Sequence, residues 1–284
     1  MERKIGAGQL AAFRRWLLEE EREPATIEKY LREVRAFAAW LEGAPVTKEG
    51  ATAWKARLTA SGFQPGTVNG KLSALNKFFT FLGWPDCRVK YLKIQRRVFR
   101  SSERELSREE YARLLETARA LGRERLALLI ETICATGIRV SELKYITVES
   151  VRNGRTEISL KGKIRTILIP GKLCRKLLKY ARKRKIASGE IFLTRSGKSL
   201  SRRQIWAEMK ALCARAGVER TKVFPHNLRH LFARTFYRAC RDVVKLADVL
   251  GHSSIETTRI YLISTGAEHS RQAGAAGAGV IAIN

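Results

Sequence analysis

Three short stretches carry the residue types able to do covalent chemistry on a phosphate. Tyr261 closes the run Gly251-His252-Ser253-Ser254-Ile255-Glu256-Thr257-Thr258-Arg259-Ile260-Tyr261. Upstream lie His226-Asn227-Leu228-Arg229-His230 and Thr136-Gly137-Ile138-Arg139-Val140-Ser141-Glu142-Leu143. A side chain that cleaves a phosphodiester needs a nucleophile, cations on the nonbridging oxygens, and groups that take one proton and supply another. Tyr261 offers a phenol with an ordinary pKa of roughly 10, so it needs cationic neighbours to react near neutral pH. Arg139 and Arg229 suit the clamp, because a guanidinium stays charged and its planar fork matches two phosphate oxygens.

Each residue also has a plainer reading. Arg139 follows a glycine turn at a helix start and has Glu142 at i+3, able to orient it or to form an ordinary surface salt bridge. His226 and His230 stand at i and i+4, a spacing two zinc ligands can share. Asn227 and Leu228 occupy the places between, so HExxH is absent, and no third ligand is indicated. No metal and no cofactor is therefore expected. A lone helical tyrosine is usually a packed core residue. Ser253 with Glu256 has the form of a capping box, which sets Tyr261 on a short helix.

The setting favours a polyanion. The chain has 284 residues, with 55 Lys and Arg against 27 Asp and Glu, a formal charge of +28. Such an excess points to nucleic acid, ahead of an anionic membrane surface or a place on the ribosome. No apolar run approaches the roughly 18–20 residues of a membrane span, and no signal-peptide core follows Met1. The expectation is a cytoplasmic protein. Cys87, Cys134, Cys174, Cys213 and Cys240 are widely spaced and form no CxxC pair, which suits buried reduced thiols.

The elements that must position these residues fall into two sets. Residues 8–42 read as two helices, the second restarting after Pro24 with Thr26 as N-cap; two more follow over 47–61 and 67–82. Residues 87–105 are rich in arginine and lysine, among them Arg96, Arg97 and Arg100, and read as a basic linker lying on phosphate. A second unit opens with a capping box at Ser107. Helices are expected at 108–121, 124–136, 171–187, 201–216, 226–238, 241–250 and 254–263, with a β-hairpin of strands 156–160 and 165–169. Eight lysines and arginines over 172–185 meet no acidic residue there, a further candidate phosphate contact. The fold class expected is mainly α with one small hairpin: a helical unit over 1–86, the linker over 87–105, a mixed α+β unit over 106–266 and a tail over 267–284.

Taken in order, the TGxRxSEL, HxLRH and LGHxxxxTTxxY patterns resemble the tyrosine recombinase (phage integrase) family over about 105–265. The resemblance implies an N-terminal helical core-binding domain joined to a catalytic domain, the two clamping double-stranded DNA. It implies that Tyr261 attacks the scissile phosphate to form a 3′-phosphotyrosyl link, held by Arg139 and Arg229. His226 assists proton transfer from Tyr261, His252 hydrogen-bonds the phosphate and Glu142 supports the site. A hairpin lysine protonates the leaving 5′-oxygen. Lys161 is favoured and Lys163 is the alternative, with Lys163 and Arg165 also candidates for DNA contact. Neither ATP nor metal is needed. Four protomers on two duplexes are implied, with the apolar end Val280-Ile281-Ala282-Ile283 available to dock on a neighbour. A type IB topoisomerase, a non-catalytic DNA-binding protein of the same fold and a basic RNA-binding module are the rival readings.

Overall fold

Apolar stripes that recur every helical turn build the first unit. The computed structural model describes residues 3–94, 104–160, 163–252, 254–259 and 261, and the chain divides into units Met1–Arg96 and Arg97–Asn284. The first unit holds α1 (Ala7–Glu19), α2 (Pro24–Leu41), α3 (Lys48–Ala60) and α4 (Pro65–Phe81). Phe13, Leu17, Leu31, Phe37, Leu72, Phe78 and Phe79 close its core. Phe13 meets Phe78 edge-on at 5.0 Å, a favoured aromatic geometry. α2 begins at Pro24 with Glu23 as N-cap, earlier than the expected Thr26 cap. The fixed φ of proline suits a first helical position, where its missing N–H costs nothing.

The basic stretch after α4 departs from a free linker at its start. Asn76 on α4 accepts from the Val89 N–H and donates to its carbonyl, both at 2.9 Å. Two turns earlier, Asn69 does the same for Leu92 at 2.8 and 2.9 Å. Each carboxamide satisfies both backbone groups of one residue, as a neighbouring strand would. Cys87 and Val89 are buried in the first core. The chain therefore belongs to the first unit well past the expected boundary at 86. Arg96, Arg97 and Arg100 lie outside the described residues.

In the second unit, α5 (Arg108–Ala120) starts at the expected capping box: Ser107 Oγ accepts from the Glu110 N–H at 3.1 Å and Glu110 accepts from the Ser107 N–H at 2.8 Å. Next come α6 (Glu124–Thr136), a 3-10 turn Val140–Tyr145, α7 (Val148–Arg152), and strands β1 (Arg155–Leu160) and β2 (Lys163–Leu168). Then follow α8 (Gly171–Lys183), α9 (Arg202–Lys210), α10 (Pro225–Cys240), α11 (Val243–Leu250) and α12 (Ile255–Arg259). β1 and β2 form an antiparallel pair running from Arg155↔Leu168 to Leu160↔Lys163. Lys163 and Ile164 thus pair within β2 instead of lying in the connection. Lys161 and the tail 267–284 are outside the described residues.

Several expectations change. α8 and α9 end sooner than periodicity suggests; residues 211–217 after α9 are turns. The basic face of α8 is not unopposed, because Lys176 meets Glu131 at 2.5 Å and Lys183 meets Glu124 at 2.9 Å, both carboxylates from α6. Cys87, Cys174 and Cys213 are buried but Cys240, at the end of α10, is exposed. Among the described residues no helix is long and apolar enough to cross a membrane.

Candidate active site

Two glycines at helix ends set the backbone of the site. α6 ends at Gly137, whose φ of +64° is left-handed, and a β-carbon there would run into the Phe232 ring. The chain turns at once, and Arg139 enters the 3-10 turn instead of the expected α-helix. In a 3-10 turn residues i and i+3 eclipse, which stacks Arg139 over Glu142. Glu142 accepts from the Arg139 backbone N–H and from its guanidinium Nη1, each at 2.8 Å. The second glycine is Gly251, the C-cap of α11, with φ +62°; a β-carbon there would strike the Arg165 side chain.

The C-terminus of α11 gathers three arginines. The last carbonyls of a helix lack intrahelical partners and carry partial negative charge. Val249 O accepts from Arg165 at 3.1 Å, Leu250 O from Arg229 at 2.7 Å and Gly251 O from Arg139 at 3.2 Å. Arg229, on α10, also donates to the Gly137 carbonyl. Arg165, expected to meet phosphate, is turned inward: its side chain is 12% exposed and pairs with Glu142. One fully buried carboxylate therefore stands against Arg139 and Arg165, with Arg229 beside them. The excess of positive charge makes an anion site. Burial pushes the Arg229 guanidinium down to about 10, helped by the nearby charge of Arg139 and opposed by the Tyr261 phenol. Burial also lowers Arg165.

The histidines surround Tyr261, which is buried. The Tyr261 ring stacks on His252 at 5.7 Å and 13°, meets His230 edge-on at 4.3 Å and lies 6.2 Å from His226. His226, at the first turn of α10 behind Pro225, is exposed. His252 shares one nitrogen with Arg229 at 3.0 Å and the other with Thr258 Oγ1 at 2.8 Å. Burial first, then the charges of Arg229, Arg139 and Arg165, push the His252 imidazole down to about 4. Tyr261 itself follows α12 in a turn, its N–H bonded to the Thr258 carbonyl at 3.0 Å, instead of riding on the helix. Ser253 of the expected capping box lies outside the described residues.

A cleft of about 540 Å³ is lined by Arg139, His226, Arg229, His252 and Tyr261 together. Ile138, Arg202, Trp206, Phe224 and Thr257 are among the other residues of its wall. Sequence reasoning missed Arg202 and Trp206 on α9, and nothing in their local pattern marks them. It also missed His230 and Thr258 as partners of the site, although both sit inside the quoted motifs. Among the described residues no group of three His, Cys, Asp or Glu is placed to hold a metal ion. Of the two candidate hairpin lysines, Lys161 is not described and Lys163 is placed by its backbone in β2.

Fold and site together define a two-unit, mostly helical protein with a tyrosine set against clustered guanidinium groups. The phage integrase family model matches residues 104–268, and the phage integrase N-terminal SAM-like domain matches residues 10–85. Tyrosine recombinase XerA of Thermococcus kodakarensis is 32% identical over 268 residues, covering 92% of each chain. Tyrosine recombinase XerC of Roseiflexus castenholzii is 31% identical, covering 89% of this chain and 88% of its own. Among solved structures, a lambda integrase dimer bound to a core site superposes with a TM-score of 0.72 at 18% identity, over 89% of this chain and 94% of that one. The chain belongs to the phage integrase family of tyrosine recombinases.

Proposed function

We propose that this protein recombines double-stranded DNA at specific sites through a covalent phosphotyrosyl intermediate. The phenol oxygen of Tyr261 attacks phosphorus, the bond to the 5′-oxygen breaks, and the strand is held as a 3′-phosphotyrosyl ester. Arg139 and Arg229 bind the nonbridging oxygens, and His252 donates a hydrogen bond to one of them. His226, exposed at the cleft mouth, takes the phenol proton, and Lys161 or Lys163 supplies one to the leaving oxygen. Glu142 holds Arg139, and Arg165 backs Glu142 from beneath instead of touching DNA. A 5′-hydroxyl from a partner strand then reverses the step. The ester conserves the energy of the broken bond, so ATP is not required. The guanidinium groups supply the charge that metal ions supply in other phosphoryl-transfer sites, so the step is expected to run in EDTA.

One observation carries this reading: the phenol, both arginines and two histidines line a single cleft although they come from three separate parts of the chain. The many lysines and arginines of the chain, Arg96, Arg97 and Arg100 among them, would supply the sequence-independent part of DNA affinity. Strand exchange by four protomers on two duplexes, with the tail 267–284 docked on a neighbour, completes the proposal. The test is capture of a covalent adduct on a pool of nicked duplexes. Tyr261→Phe should abolish the adduct and leave binding largely intact, because only a hydroxyl is lost. An adduct at wild-type yield in that variant would remove Tyr261 from the mechanism. Binding by the wild type with no adduct under any condition would favour a DNA-binding protein that keeps the fold without the chemistry.

A further inference from the structure

His252 has both ring nitrogens engaged, and the partners determine where its proton sits. Nε2 lies 3.0 Å from Nη2 of Arg229. A guanidinium can only donate, so Nε2 accepts and the neutral ring carries its proton on Nδ1. Nδ1 then donates to Thr258 Oγ1 at 2.8 Å. A phosphate oxygen, by contrast, only accepts. For His252 to bond the scissile phosphate through Nε2, that nitrogen must hold the proton. Adding a second proton would place an imidazolium among Arg229, Arg139 and Arg165, whose charges already hold the ring well below its ordinary pKa. The neutral route is a change of tautomer, and it requires a partner at Nδ1 that can donate as well as accept.

A hydroxyl is such a partner, because rotation about its C–O bond exchanges the two roles. A backbone carbonyl or N–H could serve only one tautomer. Thr258 is completely buried, and its own carbonyl accepts from the Tyr261 N–H at 3.0 Å. One residue thus holds both the nucleophile's backbone and the histidine ring. We propose that Thr258 is a positioning residue that lets His252 change tautomer on binding phosphate. Its hydroxyl accepts from Nδ1–H in the free protein and donates to Nδ1 once Nε2–H turns to the phosphate. The ring loses one proton at Nδ1 and gains one at Nε2 by exchange with water, so its charge does not change. Nη2 of Arg229, released from Nε2, becomes available to the same phosphate. This inference rests on the strand-transfer reading above.

The test uses the full-length protein. Nitrogen NMR of 15N-histidine-labelled wild type should show His252 protonated at Nδ1 when free and at Nε2 in saturating dimethyl phosphate, a diester whose nonbridging oxygens only accept. The chain has four histidines, so comparison with His252→Asn assigns the signals. Covalent capture on the nicked-duplex pool should slow about ten-fold or more in Thr258→Val, the loss of one buried hydrogen bond, and recover to within about three-fold of wild type in Thr258→Ser. The relay is overturned by wild-type capture rates in the valine variant, by a serine variant as slow as valine, or by an unchanged tautomer on phosphate binding. Should the valine variant fail to fold, the wild-type spectra decide. A wild type that forms no adduct would overturn the strand-transfer reading and the relay with it, whereas wild-type capture by Thr258→Val would overturn the relay alone.

Discussion

Replacing Glu142 by glutamine tests the charge balance on which the site is built. Gln keeps the shape and one acceptor oxygen, removes the charge, and sets an NH2 donor where the second oxygen accepted from arginine. Arg165 and Arg139 are then left without their shared carboxylate, close to Arg229. Removing one partner of a buried ion pair typically costs about 3–5 kcal/mol. Arg165 is 12% exposed and feels most of that penalty, while Arg139, at 38%, is partly screened by water. The lower end, about 3 kcal/mol, is therefore expected. For a unit of this size that is a fall in melting temperature of about 6–12 °C. Adding Arg165→Met should recover part of the loss, since it removes one uncompensated charge. Saturating phosphate or DNA should narrow the gap between wild type and Glu142→Gln, because the ligand restores the missing negative charge. Calorimetry on the four members of this cycle, with and without phosphate, measures each term. A melting temperature for Glu142→Gln within a degree or two of wild type, or no coupling to Arg165, would refute the argument.

The hairpin lysines separate by leaving-group chemistry. If Lys161 protonates the 5′-oxygen, Lys161→Ala should lose cleavage of ordinary DNA and regain it on a 5′-bridging phosphorothioate, whose thiolate leaves without a proton. The same rescue seen only for Lys163→Ala would move the role to Lys163. Gly251→Ala should distort the site, because its φ is +62° and its β-carbon would strike Arg165; a lower melting temperature and weaker phosphate binding are expected, and unchanged values would show that the α11 cap is tolerant. His252 gives a pH signature. Its pKa is about 4 folded against about 6.5 unfolded, so the unfolded state binds more protons between those values. Stability should fall as pH drops through that window and stop falling from this cause below about 4. Denaturant titrations of His252→Asn should show a flatter dependence, and an identical slope would place the effect elsewhere.

Much of the architecture was legible because it depends on local periodicity. Apolar spacing located α2, α5 and α6 within a few residues, and the Ser107 box marked the start of α5. Alternation marked the hairpin, although it assigned Lys163 and Ile164 to the connection. Helix ends beyond 183 and 210 were overextended, because amphipathic spacing continues where turns already satisfy the backbone. The candidate site was also legible in outline, since Arg139, His226, Arg229, His252 and Tyr261 sit in patterned motifs.

What the sequence alone determined was the inventory: a basic chain, its helices, and a phenol with the cations to assist it. Only the tertiary structure decided who holds whom. The α11 carbonyls that gather Arg139, Arg165 and Arg229 are backbone groups, identical in every residue and therefore silent in sequence. Arg165 reads as one more cation for DNA until β2 brings it over Glu142 and Gly251. The lysines of α8 read as unopposed until α6 presents Glu131 and Glu124. In each case charge and residue type are local properties, whereas pairing depends on which distant groups packing brings within a few ångströms. That distance sets whether a charge is screened, compensated or left to bind a phosphate.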